Sequence, residues 1–221
     1  MPDEFPTGEL CDRFADLYTG AIADVLDARG YRNRTLRNAV EPLARDMQMA
    51  GIAHTALGRR NVDVDPEAQI RAHLEMVCEA PEHGVLVVEA NDTVSAQIGE
   101  LMTTSLAAQN CRGCVCDGGT RDTAFIRDQG FPVFTGYCTP EDSVPRWELL
   151  DWDVEVIVGG VDISPGDVIV GDVDGVVVVP RAIAPEVLQA AEAKVGDEDR
   201  VRAAIREGAT PLEAYDRYGV F

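Results

Sequence analysis

Three of the chain's six cysteines fall between Cys111 and Cys116, in the stretch NCRGCVCDGGTRD that closes on Arg121 and Asp122. A C-x-x-C pair can supply half of a zinc site, but a closed structural site needs four ligands. The other cysteines, Cys11, Cys78 and Cys138, stand alone, and His54, His73 and His83 do not fall in paired ligand spacing. If GCVCD is a strand, Cys114 and Cys116 share one face opposite Val115 and act as small buried apolar side chains. We take the cysteines as core residues on that ground.

The remaining candidates are Glu100, Arg121 and Asp122, with Asp117 as a weaker fourth. Glu100 follows Gly99 at the start of an expected helix, and the next strand returns toward DGGTRD. A helix followed by a returning strand brings its two flanks to one end of a domain. The first-turn amides of Leu101 and Met102 then stand free for a carboxylate. Asp122, with Glu100 nearby, offers hard oxygen to magnesium or manganese. Arg121 presents a forked charge suited to a 2-oxo acid or an enolate oxygen. Spacing alone also permits a plain surface ion pair and a favourable charge at a helix start.

The elements that must position these groups follow from periodicity. GELCDRFADLY and AIADVLDARG place Leu10, Phe14, Leu17, Ile22, Val25 and Leu26 at helical spacing, with Gly30 as a stop. MQMAGIAHTALG reads as a strand. DPEAQIRAHLEMVCEA reads as a helix with Ile70, His73, Leu74 and Val77 on its apolar stripe. GVLVVEA, GCVCD and FPVFTGY read as strands, separated by a helix from Gly99 and a helical turn closed by Gly130. VEVIVGGVDISPGDVIVGDVDGVVVVP holds three β-branched runs and predicts an antiparallel meander. From Ala182 the chain reads as helix, split near Gly196 and Gly208. Mixed order of this kind predicts a layered α/β or α+β fold, with residues 1–221 as a single domain.

Composition narrows the function. The chain has 39 acidic against 19 basic residues, a net charge of -20, which disfavours nucleic acid as a partner. It also fits a salt-rich, halophilic cytoplasm, where ions screen self-repulsion. No segment has the roughly 18 apolar residues of a membrane span, and the acidic start MPDEFPTGELCD lacks the pattern of a secretion signal, so a cytoplasmic protein is expected. Lys194 is the only lysine and sits in AAEAKVGDEDR, read as an exposed helix, which argues against Schiff-base catalysis. His54 is read as a satisfied core or edge histidine and Asp24 as a buried capping or packing carboxylate.

GELMTTSLAAQNCRGCVCDGGTRD, in which twenty residues separate Glu100 from Arg121, resembles the RraA-like family, which includes 4-hydroxy-4-methyl-2-oxoglutarate/4-carboxy-4-hydroxy-2-oxoadipate aldolases. AIADVLD, FPVFTGYCTP, SPGDVIVGDVDGVVVVP and DRVRAAIREGATPLEAYDRYGVF extend the resemblance over nearly the whole chain. It implies a layered β/β/α swivelling-domain fold with terminal helices, assembled as a homotrimer or a homohexamer with sites at subunit interfaces. It also implies a class II pyruvate aldolase acting on a small 2-oxo acid, able to decarboxylate oxaloacetate. In that scheme Asp122 holds Mg2+ or Mn2+ through bridging waters, Glu100 contacts those waters, and Arg121 binds the pyruvate oxygens. Amides after Gly99, at Leu101 and Met102, take the carboxylate, and Glu198 is the candidate acid supplied by a neighbouring subunit. The family also implies an alternative, a non-catalytic regulator that binds a ribonuclease; retention of Glu100, Arg121 and Asp122 favours the enzyme.

Overall fold

The computed structural model describes residues 5–37 and 40–220. Residues 1–4, 38–39 and 221 lie outside them, and with these the first acids of the N-terminal segment and the end of the closing motif. The chain opens with two short helices, α1 (Thr7–Ala15) and α2 (Thr19–Ala28), whose spacing buries Leu10, Phe14, Ile22, Val25 and Leu26 on one side. Gly30, at φ 86°, supplies the left-handed residue that stops α2. The start of α2 is tied to the sheet, since the Thr19 amide and hydroxyl both donate to Asp172 at 2.8 Å.

The middle of the chain alternates strand and helix. β1 (Glu41–Pro42) and β2 (Met49–Arg60) precede α3 (Pro66–Cys78), which starts as expected at Asp65, whose side chain accepts from the Glu67 amide. β3 (Gly84–Glu89), β4 (Ala96–Ile98), α4 (Glu100–Ala108), β5 (Gly113–Thr120), α5 (Thr123–Gln129) and β6 (Val133–Cys138) follow. β7 (Trp147–Trp152), two hairpins, β8 (Val156–Val158) with β9 (Val161–Ile163) and β10 (Val168–Asp172) with β11 (Gly175–Val179), and then α6 (Ala184–Arg206) and α7 (Pro211–Tyr218) complete the chain. The main sheet runs β1-β6-β5-β3-β2-β10-β11, with β4 added to β5 and β7 to β2. Its centre, β2-β3-β5-β6 together with β4, is parallel, and β1, β7, β10 and β11 join antiparallel.

Alternation along these strands divides the interior into layers. Leu86, Val88, Cys114 and Cys116 face α3, α4 and α5, where they meet Met76, Val77, Leu106 and Ile126. Val85, Val87 and Val115 face the other way, toward Phe134, Ile169 and the β8-β9 hairpin. Val168, Val170, Val177 and Val179 pack on the terminal helices through Phe14, Leu26 and Leu188. A mixed α/β fold with layered sheet and helices is therefore what the sequence builds, and the cysteine strand serves its core. Burial pushes the Cys114 and Cys116 thiols up, so both stay protonated and apolar in character.

Several expectations need correction. The valine-rich segment makes four strands, not three runs of one meander, and β8-β9 forms a separate two-stranded sheet. The helix after Ala182 passes unbroken through Gly196, because buried Ala191 and Val201 hold both halves on the core. Ile70 and Leu74 are exposed rather than part of the buried stripe of α3. Asp24 is exposed too, and it pairs at 3.0 Å with Lys194, which is itself only partly exposed. His54 is satisfied as expected: Nδ1 meets Asp153 at 2.8 Å and Nε2 the Met76 carbonyl at 2.9 Å.

Candidate active site

β4 and β5 run parallel, with Ile98 opposite Thr120, and the Arg121 amide donates to the Ile98 carbonyl at 2.9 Å. Both strands end at the same edge, so α4 and α5 start side by side. This brings Gly99 and Glu100 against Arg121 and Asp122, as a helix followed by a returning strand predicts. A Cβ on Gly99 would stand 3.1 Å from Asp122 Oδ2 and 3.4 Å from Arg121 Nε, so glycine is what permits this approach.

Asp122 sits at the start of α5 with φ 58° and ψ 30°, a left-handed conformation that aspartate tolerates at a cost of roughly 1–2 kcal/mol. Its carboxylate does not cap α5. It instead accepts from the Glu100 amide at 3.3 Å, across the gap to α4. Arg121 is held between two carboxylates, with Nε 3.5 Å from Asp122 and Nη1 3.2 Å from Asp142. The Glu100 carboxylate accepts from the Thr104 hydroxyl one turn along α4. The amides of Leu101 and Met102 lie in the first turn of α4, where the helix provides no acceptor.

These groups line a cleft of about 330 Å3, closed on its far side by α3 and by the loop that carries Asp142, Ser143 and Val144. The cleft is charged at its base and apolar at its rim, where Ile70, Leu74 and Leu101 are 46, 58 and 77 % exposed. Behind it, Gln97 holds the DGGT end of β5 by accepting from the Gly119 amide at 2.9 Å. Asp92 steadies Gln97 and Ser95 in turn. Burial would raise the Asp92 carboxyl, but hydrogen bonds from Ser95, Gln97 and Val94 outweigh it and hold the group below its ordinary range.

Asp117 and Glu198 stand elsewhere. The Asp117 carboxylate is occupied by the Ala90 amide at 2.8 Å. Glu198, on α6, accepts from the Tyr18 hydroxyl and pairs with Lys194 at 3.2 Å and Arg202 at 3.1 Å, so within one chain it does not line the cleft. Two ionisable residues of the cleft escaped the sequence reading. Asp142 arrives on the loop after β6, through a parallel bridge between its backbone and Ala96. His73, read as a core residue of α3, is buried and also lines the cleft. The only sequence signal for Asp142 is that a loop after a parallel strand opens at the same edge of the sheet.

A divalent cation fits this donor set in a particular way. Among the described residues no three His, Cys, Asp or Glu side chains gather as a metal cage. Asp122 offers one hard carboxylate at the open end, with Glu100 beside it, and magnesium is commonly held by one or two carboxylates with water completing its shell.

Known proteins share this frame. A 32 % identical relative from Halalkalibacterium halodurans, named "Putative 4-hydroxy-4-methyl-2-oxoglutarate aldolase", matches over 94 % of this chain and 93 % of its own. Protein DlpA of Legionella pneumophila is 29 % identical over 95 % of this chain, which spans only 34 % of DlpA. Among solved structures, Streptomyces coelicolor RraAS2, described as an unusual member of the RNase ES inhibitor RraA family, superposes with a TM-score of 0.80 at 28 % identity, covering 90 % of this chain and 100 % of that one. The family model RraA-like, described as Aldolase/RraA, matches residues 9–178, and the chain belongs to that family.

Proposed function

We propose that the cleft is the active site of a divalent metal-dependent carbon–carbon lyase that cleaves 4-hydroxy-2-oxo acids to pyruvate, and that the same site decarboxylates oxaloacetate. The observation that carries this reading is the meeting of Glu100, Arg121 and Asp122 at the open start of α4. Charge supports it. Glu100, Asp122 and Asp142 face a single guanidinium there, and an anionic substrate would be repelled unless a cation joined it. The name of the Halalkalibacterium halodurans relative points to the same chemistry.

In this reading Asp122 holds magnesium or manganese, and Glu100 orients the waters around it. The ion supplies a Lewis acid for the keto oxygen when bound. Arg121, steered by Asp142, donates its fork to the oxygen on which negative charge grows as the bond to C3 breaks. The free amides of Leu101 and Met102 receive the substrate carboxylate, and the closeness of Gly99 to Arg121 keeps these donors together.

The exposed rim of Ile70, Leu74 and Leu101 supports assembly as a trimer or a pair of trimers, with each cleft at a subunit boundary. Glu198 would then serve the cleft of a neighbouring copy from its place on α6. A salt-rich cytoplasm belongs to the same reading. No helix among the described residues is long and apolar enough to cross a membrane. The test is pyruvate release from oxaloacetate and from a 4-hydroxy-2-oxo diacid, with magnesium and after chelation. Turnover that ignores the chelator rejects the mechanism. No turnover on either substrate favours the ribonuclease-regulator reading, to which the likeness to RraAS2 lends weight.

A further inference from the structure

One residue that lines the cleft carries a buried polar atom that the roles above leave unused. His73 is 9 % exposed, and its Nδ1 lies 2.6 Å from the Gln69 carbonyl of its own helix. A carbonyl only accepts, so Nδ1 carries the proton and Nε2 presents a bare lone pair. Nε2 is shielded from solvent and has no partner among the described residues. Its ring packs on Trp147 with centroids 5.3 Å apart and the planes tilted by 44°. His54, also buried, has both nitrogens engaged. An unfilled acceptor in a buried side chain calls for an explanation, and here the side chain borders the cleft.

We infer that His73 Nε2 is the group that accepts the C4 hydroxyl proton of the substrate, an assignment that rests on the lyase reading of the cleft. Nε2 takes the proton from the hydroxyl, and the O–H pair becomes the new carbonyl at C4. The C3–C4 bond breaks, and its electrons pass into the C2–C3 double bond of the enolate. The proton then moves from Nε2 to C3, which gives the methyl group of pyruvate and restores the lone pair. Burial lowers the affinity of His73 for a proton, against the opposing pull of the Gln69 carbonyl and Asp142, so the ring is kept neutral and ready to accept. Oxaloacetate has no C4 hydroxyl. Its cleavage releases carbon dioxide and takes the C3 proton from water, so it has no use for His73.

The two substrates therefore separate this inference from the reading beneath it. In His73→Phe, which keeps a ring against Trp147, and in His73→Gln, which keeps an acceptor but holds no proton, cleavage of the 4-hydroxy-2-oxo diacid is expected to fall by about 10² to 10⁴-fold. Oxaloacetate decarboxylation is expected to stay within about threefold, which also reports that the variants fold. Pyruvate binding, measured by calorimetry with magnesium, should not change. Equal loss of both reactions, or loss of neither, overturns the role of His73 and leaves a buried acceptor with a structural task. If the unaltered protein cleaves neither substrate, the lyase reading falls and this assignment with it.

Discussion

Asp92 lies just before β4 and Asp122 beside its far end, and the fold treats the two carboxylates in opposite ways. Asp92 is buried and accepts from the amides of Val94 and Ser95, from the Ser95 hydroxyl and from Gln97. Asp122 is half-exposed, accepts one 3.3 Å bond and holds a left-handed backbone. The histidines repeat the contrast, His54 filled on both nitrogens and His73 on one. Groups that only hold the fold have their hydrogen-bonding capacity filled from within. Groups around the cleft keep some of theirs open, and that remainder describes the ligand.

Exchanging the acids for their amides puts this contrast at risk. Asp122→Asn is expected to lower metal-dependent pyruvate formation by more than about 100-fold, since even residues supporting a metal ligand commonly cost 10 to 100-fold. Its stability should move by no more than about 0.5 kcal/mol, because asparagine also tolerates the left-handed region and the side chain is half-exposed. Asp92→Asn should reverse the pattern. An amide nitrogen would meet donors from Ser95 and Gln97, and a loss of about 2–3 kcal/mol is expected from urea unfolding. If Asp122→Asn is the more destabilising of the two, the division between holding and binding groups is wrong.

A smaller effect is expected at Gly99. In Gly99→Ala the added Cβ falls 3.1 Å from Asp122 Oδ2, so that carboxylate must shift by a few tenths of an ångström. Such a shift in a positioned group is expected to cost about tenfold in kcat/KM, a modest part of the 100-fold that a 1 Å misplacement can cost. Thermal unfolding should be nearly unchanged. A Gly99→Ala protein with full activity would show that the spacing between α4 and the Arg121-Asp122 pair does not set the chemistry.

The legible parts of the molecule were those fixed by short stretches of chain. Glu100, Arg121 and Asp122 are brought together by one strand–helix–strand unit, and the spacing of that unit is written in GELMTTSLAAQNCRGCVCDGGTRD. The core role of Cys114 and Cys116 follows from strand alternation. β4 was missed because AQI is three residues long and buried throughout, with no alternation to read. β7 was missed because WELLDW carries acids on its exposed side and becomes a strand by pairing with the end of β2. Asp142 and His73 reach the cleft on segments far apart in the chain, through contacts that no local pattern encodes. Ile70 and Leu74 were misplaced for a related reason. The helix stripe with core-facing periodicity also borders the cleft, and periodicity reports apolar character without saying what will cover it.

The smallest effect separates the two buried histidines by pH. Burial lowers the pKa of His73 in the folded chain below its ordinary value of 6.5. Above that value the ring is neutral in both states, and its full contribution to stability is present. As pH falls below 6.5 the unfolded chain binds the proton first, so the unfolded state gains and folded stability declines until pH passes the lower folded pKa. The slope cannot exceed about 1.4 kcal/mol per pH unit, the value for one proton. His73→Phe removes this term, so the difference in unfolding free energy between wild type and variant should drift in favour of the variant on acidification from pH 7 to 5. The comparison cancels the carboxylates common to both proteins. A flat difference would mean that His73 takes up its proton as readily folded as unfolded, and its lone pair would then lack the shielding on which its contrast with His54 depends.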